Sequence, residues 1–116
     1  MRRVIEAFDE DTIRSELSSL PIKDRSKLSA LLEFYENSQS GDPHPVQIDA
    51  YGGGILRIRH AKAAYQGRAL GYISESRKDY QKLILLLVYK KESDRVPSAV
   101  METARRRMEQ HKKRKS

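Results

Sequence analysis

The sequence predicts an α+β fold, in which an N-terminal helical hairpin packs on a small antiparallel sheet of three to five strands and a C-terminal helix follows. Three patterns support this prediction. Apolar residues recur at helical spacing before residue 38, follow strand patterns between residues 54 and 89, and return to helical spacing after Pro97. At 116 residues with 38% hydrophobic side chains, the chain is expected to form one domain, residues 1–116.

The first half of the chain is expected to be mostly helical. Residues 4–8 form a short apolar segment that predicts an opening strand, and Asp9 can cap the helix after it. Pro21 precedes a second helix of about residues 22–37, since proline is well tolerated at a helix start. The segment NSQSGDPHP then predicts a loop. The apolar stripe of the second helix consists of Leu28, Leu31, Leu32 and Tyr35.

Three strands are predicted next. GILRIRHAK alternates apolar residues with Arg57 and Arg59, so the two arginines share one face. In GRALGYI, Arg68 can lie beside them on the neighbouring strand. After a predicted turn at SESRKD, the apolar run LILLLVY is expected to be a central strand buried on both faces. Short connections favour an antiparallel meander of these three strands. The segments span residues 54–62, 67–73 and 83–89.

The last predicted helix begins at Pro97 and Ser98 and is followed by a basic end. Its inward positions repeat at helical spacing, and three consecutive arginines lie along its side. The tail, residues 109–116, is expected to fray because it is too charged to bury. The inward positions are Val100, Met101, Ala104 and Met108, and the arginines are Arg105, Arg106 and Arg107.

Charge is distributed unevenly along the chain. Residues 1–50 carry 6 Lys/Arg against 10 Asp/Glu, a net charge of −4, whereas residues 51–116 carry 17 against 6, a net charge of +11. A strongly basic segment indicates a polyanionic partner, and nucleic acid is the first candidate. The alternative is a charge excess that serves solubility.

Several classes of enzyme lack their motifs here. The absence of cysteine excludes disulfide frameworks, cysteine nucleophiles and thiolate zinc sites. No P-loop follows the three glycines at residues 52–54, and no Gly-x-Ser-x-Gly segment is present. The histidines His44, His60 and His111 are scattered without ligand spacing, and His44, between two prolines, is expected in an exposed loop. We therefore expect neither a metal nor another cofactor.

The compartment expected from the sequence is the cytoplasm. A chain without cysteine suits a reducing environment. No apolar run approaches the roughly 18 residues of a membrane span, so no membrane partner is expected. The start, MRRVIEAFDEDT, lacks the apolar core of a signal peptide.

The basic sheet face is the strongest candidate for a site. Guanidinium groups at Arg57, Arg59 and Arg68 would repel one another unless an anion lay between them, and phosphate oxygens match the planar fork of arginine. The strands at residues 55–60 and 67–73 contain no acid that could pair with them. Aromatic residues on the strands, Tyr72 and Tyr89, could stack on bases or could equally pack in the core.

The order of LRIR, GRALGYI, LILLLVYKK and PSAVMETARRR resembles the RelE/HigB superfamily of bacterial and phage toxins, in particular a phage-derived HigB-like branch. The resemblance covers most of the chain and is most specific at LLLVYKKESDRVP, residues 85–97. It implies a type II toxin, a ribosome-dependent messenger-RNA endonuclease neutralised by an antitoxin with a helix-turn-helix domain, as in HigA. Cleavage would proceed without a metal, by attack of the 2′-hydroxyl on the adjacent phosphate.

The resemblance also assigns residues. The basic strand pair of the family falls on Arg57 and Arg59, the arginine of the next strand on Arg68, and the basic residue after the last strand on Lys90 or Lys91. Because arginine stays protonated, His60, Tyr89 or a lysine with a lowered pKa would have to accept the proton. Contacts to RNA are expected from Lys62, Tyr72, Lys90, Arg105, Arg106 and Arg107.

Two other functions stay open at this point. A toxin of the related ParE branch would inhibit DNA gyrase without cutting a nucleic acid, and the same fold serves both branches. A phage nucleic-acid-binding protein without catalytic activity would also explain the basic charge. A convergent cationic pocket favours the RNA chemistry, because an inhibitor that binds a protein needs no such pocket.

Overall fold

A computed structural model gives the architecture of the protein and describes residues 2–37, 46–62 and 64–115. The predicted loop around His44 lies outside the described residues. None of the helices in the described part of the chain is both long and apolar enough to cross a membrane. The elements are β1 (Arg2–Ala7), α1 (Glu10–Ser18), α2 (Ile22–Asn37), β2 (Val46–Ala50), β3 (Leu56–His60), β4 (Gly67–Arg77), β5 (Tyr80–Lys90) and α3 (Ser98–Lys115).

The five strands form one mixed sheet in the order β1-β5-β4-β3-β2. Strands β2 to β5 are an antiparallel meander, which confirms the predicted arrangement of the three basic and apolar strands. The α+β fold with a helical hairpin and a C-terminal helix is confirmed as well. The pairing of β1 is the exception to the predicted antiparallel sheet, because β1 runs parallel to β5. The two helices carry the chain from β1 to the far edge, and a parallel pair needs such a crossover.

The strand β2 was not assigned from the sequence. It pairs with β3, and the turn between the two strands contains Gly52, Gly53 and Gly54, whose φ angles are 78°, 63° and 89°. Only glycine adopts these angles without strain, so the three glycines are required by the tight reversal. The reversal brings β2 alongside the arginine strand.

The hairpin of β4 and β5 is longer than predicted. Residues 74–77 of the expected turn SESRKD continue β4, and only Lys78 and Asp79 form the turn. The added parts of both strands contain polar residues, which form ion pairs with residues on the neighbouring strands. For example, Lys82 Nζ lies 2.7 Å from Glu6 Oε2 and 3.8 Å from Glu75 Oε1.

The last helix also exceeds its prediction, since α3 continues to Lys115 where fraying was expected from residue 109. The reason is His111, which is buried and hydrogen-bonds through Nδ1 to the Tyr72 hydroxyl at 2.5 Å. This contact attaches the end of α3 to β4.

The sheet has a hydrophobic core on each face. Helices α1 and α2 cover one face, where Leu28, Leu31 and Leu85 are among the buried residues. Helix α3 covers the other, where Leu86 and Met108 are buried. Because β5 contributes to both cores, the prediction that LILLLVY is buried on two faces is confirmed.

A β-bulge in β5 changes which side chains face α3. Leu70 pairs with Leu87 while the next residue, Gly71, pairs with Leu85, so Leu86 is the extra residue. Gly71 permits this close pairing, because a Cβ there would lie 2.7 Å from the carbonyl oxygen of Ile84. The extra residue shifts the alternation, and the end of β5 is therefore turned toward the α3 face.

Two charged side chains complete the edge of β5 beyond the bulge. β1 ends at Ala7 and leaves this edge without a strand partner. The Glu16 carboxylate of α1 accepts a hydrogen bond from the Val88 N–H at 2.9 Å, and Arg107 of α3 donates one to the Leu86 carbonyl at 2.9 Å. The two side chains also form an ion pair, with 2.8 Å between Arg107 Nη1 and Glu16 Oε2. Both outer helices are thus joined to the bulged segment.

We expect Glu16→Ala to destabilise the protein by about 1–3 kcal/mol, because it leaves the Val88 N–H and Arg107 without their shared partner. Urea denaturation measures the change. The matched control is Glu33→Ala, an exposed glutamate of α2, which should change stability by less than about 0.5 kcal/mol. Equal stabilities of the two variants would contradict this role of Glu16.

Candidate functional site

Four predicted cations line one pocket on the α3 face of the sheet. The pocket has a volume of about 240 Å³ and lies where β3 and β5 end and β4 begins. We call it the arginine pocket. It is lined by Arg57, Arg59, Arg68, Lys91 and Asp94.

The most buried cation of the pocket is Arg68, which is 2% exposed. Its Nη1 donates to the carbonyl oxygens of Tyr65 at 2.7 Å and Gly67 at 3.0 Å. Its Nε is buried and has no hydrogen-bond partner among the described residues. Burial and the charges of Arg59 and Arg57 lower the pKa of Arg68, although a guanidinium remains protonated. A buried charge with an unused donor favours the binding of an anion.

The two arginines of β3 do have an acidic neighbour, contrary to the inference from the sequence. Asp49 on β2 lies directly opposite Arg57 and accepts hydrogen bonds from Arg57 Nη2 at 2.7 Å and Nε at 3.2 Å. Arg59 Nε lies 3.6 Å from the same Asp49 oxygen. The hydrogen bond from Arg57 lowers the pKa of Asp49. The inference was wrong because it considered only acids within the arginine strands, and Asp49 comes from the unassigned strand β2.

The segment after β5 closes one side of the arginine pocket. Lys91 Nζ lies 2.9 Å from Asp94 Oδ1, and this hydrogen bond lowers the pKa of Asp94. The Asp94 carbonyl accepts a hydrogen bond from Arg57 Nη1 at 3.0 Å. Of the two lysines that the sequence offered, Lys91 lines the pocket, and Lys90 is exposed outside it. With two carboxylates against four cations, the pocket keeps a positive excess.

Tyr89 lies next to the arginine pocket, because it pairs directly with Arg68 across the sheet. Burial raises the pKa of its hydroxyl, and the nearby Arg57 opposes that effect. A second tyrosine, Tyr51, was missed from the sequence. Its ring centroid lies 5.2 Å from the Arg57 guanidinium carbon, so it supports Arg57 from the β2 side.

His60 lies apart from the arginine pocket, on the face covered by α2. Its ring contacts the Tyr65 ring edge-on, with 4.9 Å between the ring centroids, and its Nδ1 accepts a hydrogen bond from the Lys62 N–H at 2.9 Å. Burial, together with Lys27 and Lys62, lowers its pKa. Side chains alternate along β3, so Arg59 faces the pocket and His60 faces away. The structure does not bring His60 or Lys62 to the site of the arginines.

Two residues expected to contact RNA serve the core instead. Tyr72 is 6% exposed, belongs to the core under α3 and is hydrogen-bonded to His111, so it packs in the protein and its ring is not displayed on the surface for a base. Arg107 is engaged by Glu16 and by the Leu86 carbonyl. The neighbouring Arg105 and Arg106 are exposed on α3. Sequence spacing could not separate these three arginines, because their roles depend on which side of α3 meets β5.

The lowered pKa of Asp49 predicts a pH-dependent contribution to stability. Because the folded-state pKa lies below the unfolded value, the contribution is complete above the ordinary pKa of aspartate and is lost as pH falls through the folded value. Asp49→Asn should therefore destabilise the protein by about 0.5–1.5 kcal/mol at neutral pH and have no effect in strong acid. Urea denaturation across a pH series tests this.

The matched control for this prediction is Asp11→Asn. Asp11 pairs with Arg14 on the surface, where its side chain is 93% exposed, and its replacement should leave stability nearly unchanged at every pH. A difference between wild type and Asp49→Asn that did not shrink in acid would contradict the assigned ion pair.

Comparison with known proteins adds an independent finding. No curated protein sequence matches the chain. A model of the family described as phage derived protein Gp49-like (DUF891) matches residues 15–109. This range includes α2, β2 to β5, the whole arginine pocket and most of α3. The protein belongs to the Gp49-like family of phage-derived proteins.

Proposed function

We propose that the protein is the toxin of a type II toxin–antitoxin pair and acts in the cytoplasm as a ribosome-dependent messenger-RNA endonuclease that inhibits translation. The observation that carries the proposal is Arg68, a buried guanidinium that lines a pocket with three other cations and whose Nε has no hydrogen-bond partner among the described residues. Membership of the Gp49-like family, a RelE-like toxin family, supports it, as does the α+β fold. A closer relation to the HigB branch is part of the proposal.

The pocket suits a phosphodiester that is attacked by its own 2′-hydroxyl. The 2′ oxygen forms a bond to phosphorus, the bond to the 5′ oxygen breaks, and a cyclic 2′,3′-phosphate and a 5′-hydroxyl result. Negative charge grows on the phosphate oxygens during this step, and Arg59, Arg68 and Lys91 would stabilise it. A positioned donor of this kind contributes about 10²–10³ in rate. No metal is needed for these roles.

Proton transfer requires groups other than the arginines. Of the candidates from the sequence, Tyr89 and Lys91 lie at the arginine pocket, and His60 on the opposite face is left aside. The pocket adds Asp94, a carboxylate that the sequence did not indicate. An ionised carboxylate can accept the proton of the 2′-hydroxyl, and Lys91 or Tyr89 can supply one to the leaving oxygen.

The proposed partners are polyanions and an acidic protein. Messenger RNA would occupy the arginine pocket, and ribosomal RNA would meet exposed cations around it, namely Lys90, Arg105 and Arg106. The cognate antitoxin, proposed to carry a helix-turn-helix domain as HigA does, would neutralise the pocket with acidic side chains. Co-expression with it should then restore growth.

Loss of pocket charge should abolish growth inhibition. We expect Arg68→Gln and Lys91→Ala each to reduce messenger-RNA cleavage by about 10²–10³ while the proteins remain folded. Primer extension after a pulse of expression locates the breaks, and circular dichroism checks folding. Because Lys91 lies at the rim and Arg68 is buried, a failure of Arg68→Gln to fold leaves the Lys91 variant as the test.

The control for the toxicity experiment is Arg14→Gln, a surface change on α1 that should remain fully toxic. Full cleavage by folded Lys91→Ala and Arg68→Gln would refute the proposed site. Toxicity without any messenger-RNA breaks would indicate a gyrase inhibitor of the ParE type. A non-toxic protein that binds nucleic acid would indicate the phage binding function.

The exposed arginines of α3 should bind the ribosome without choosing a sequence. Each lost phosphate contact reduces the salt slope of binding by roughly 0.7–0.9, so Arg105→Gln/Arg106→Gln should flatten the salt dependence of ribosome co-sedimentation. Cleavage positions should not change. The double variant Arg14→Gln/Lys78→Gln loses the same charge at exposed positions outside α3 and serves as the control. Equal salt slopes for the two double variants would show that α3 does not contact the ribosome.

A further inference from the structure

A second basic cluster lies on the opposite face of the sheet, where α2 meets the loop between β3 and β4. Its members are Lys23 and Lys27 of α2 and three residues of β3 and the loop: His60, Lys62 and Tyr65. The Nζ atoms of Lys23 and Lys27 lie 5.6 Å and 4.9 Å from the centroid of the Tyr65 ring. We call this group the α2 cluster.

Within the described part of the chain, the lysines of the α2 cluster have no acidic partner. None of Lys23, Lys27 and Lys62 forms an ion pair with a described residue. Asp24, next to Lys23 in α2, is buried and accepts a hydrogen bond from the Gln66 N–H at 2.9 Å. It therefore shapes the loop and does not cover the lysines. Lys23, Lys27 and Lys62 thus keep a net positive charge that none of the described carboxylates offsets by an ion pair.

A small cleft adjoins the cluster and supplies apolar and aromatic walls. Its volume is about 160 Å³, and Phe34, which borders it, is 39% exposed. Unpaired nucleotides need this combination, in which cations bind the backbone and flat side chains contact a base. An acidic protein segment would need the cations but not the aromatic walls. The cleft is lined by Lys27, Ala30, Leu31, Phe34 and His60.

The α2 cluster and the arginine pocket share one stretch of backbone. Arg59 Nη1 donates to the His60 carbonyl at 3.2 Å, and Arg68 Nη1 donates to the Tyr65 carbonyl at 2.7 Å. The side chains of these same two loop residues face α2. The Gln66 carbonyl in the same loop accepts a hydrogen bond from the Lys91 N–H at 2.8 Å. The segment from His60 to Gln66 thus binds the pocket cations through its backbone carbonyls and contributes three side chains, His60, Lys62 and Tyr65, to the α2 cluster.

We propose that the α2 cluster is a second binding site for single-stranded RNA, which holds the nucleotides that flank the phosphate in the arginine pocket. The strand would pass around the β3–β4 loop, place backbone phosphates on Lys23, Lys27 and Lys62, and insert one base between Phe34 and His60. This inference rests on the proposed function, because it assumes that RNA occupies the arginine pocket.

The two sites predict different dependences on RNA length. A strand of about 3 nucleotides can fill only the arginine pocket, and one of about 12 can reach both sites, within the span that such platforms cover. Fluorescence anisotropy with uniformly 2′-deoxy oligonucleotides measures binding without cleavage. For wild type, we expect the longer strand to bind more tightly and with a steeper salt slope.

The diagnostic variants alter the α2 cluster or its adjoining cleft and leave the residues of the arginine pocket unchanged. Lys23→Gln/Lys27→Gln should lower the salt slope for the long strand by roughly 0.7 per lost contact and leave the short strand unaffected. Phe34→Leu keeps an apolar side chain but removes the ring, and it should weaken binding of the long strand about five- to a hundredfold. The control is Arg14→Gln/Lys78→Gln, which removes the same charge from exposed positions elsewhere.

The outcomes separate this inference from the proposed function. If the lysine variant and its control bind the long strand equally while Lys91→Ala weakens the short strand, the α2 cluster is not an RNA site, although the pocket is. If the lysine variant binds RNA normally but loses the cognate antitoxin, the cluster is a protein interface and the inference is overturned. If wild type binds neither strand, the proposed function itself fails.

Discussion

The position of one extra residue in β5 decides which side chains reach the arginine pocket. Without Leu86 as a bulge, strict alternation from Leu83 and Leu85 would direct Tyr89 into the core under α1 and α2. β1 ends where the bulge begins, and Glu16 and Arg107 satisfy the backbone groups of β5 that lie beyond it. A charged contact between two outer helices therefore maintains the strand register on which the pocket depends.

Charge balance within the pocket follows from the same architecture. β2 supplies Asp49 to the arginines of β3, and the segment after β5 supplies Asp94 to Lys91, whereas Arg68 receives only carbonyl oxygens. Partial neutralisation lets like charges remain close without a ligand, because unpaired buried cations would destabilise the fold. Arg68, the most buried of the four cations, is the one without a carboxylate partner among the described residues.

The sequence predicted the elements well because their signals are local. Helical spacing located α2, and the continuous apolar run located β5. The convergence of Arg57, Arg59 and Arg68 followed from strand alternation. What could not be predicted depends on contacts between distant segments: Asp49, for example, reaches the arginine pocket from the edge strand β2. The position of His60 on the opposite face follows from strand alternation, which the resemblance to a known family does not take into account. Arg107 differs from its two neighbours through its contacts with Glu16, which lies 91 residues away, and with the Leu86 carbonyl.

The parallel pairing of β1 has a consequence for synthesis of the chain. Arg2 pairs with Tyr80 and Ala7 with Leu85, so the first strand to leave the ribosome has no partner until residues near the end of the sheet have been made. Contacts so distant in sequence form late, because closing a long loop costs entropy before it gains any pairing. Until β5 has been made, β1 therefore stays unpaired, and the five-stranded sheet can be completed only after β5 joins it between β1 and β4.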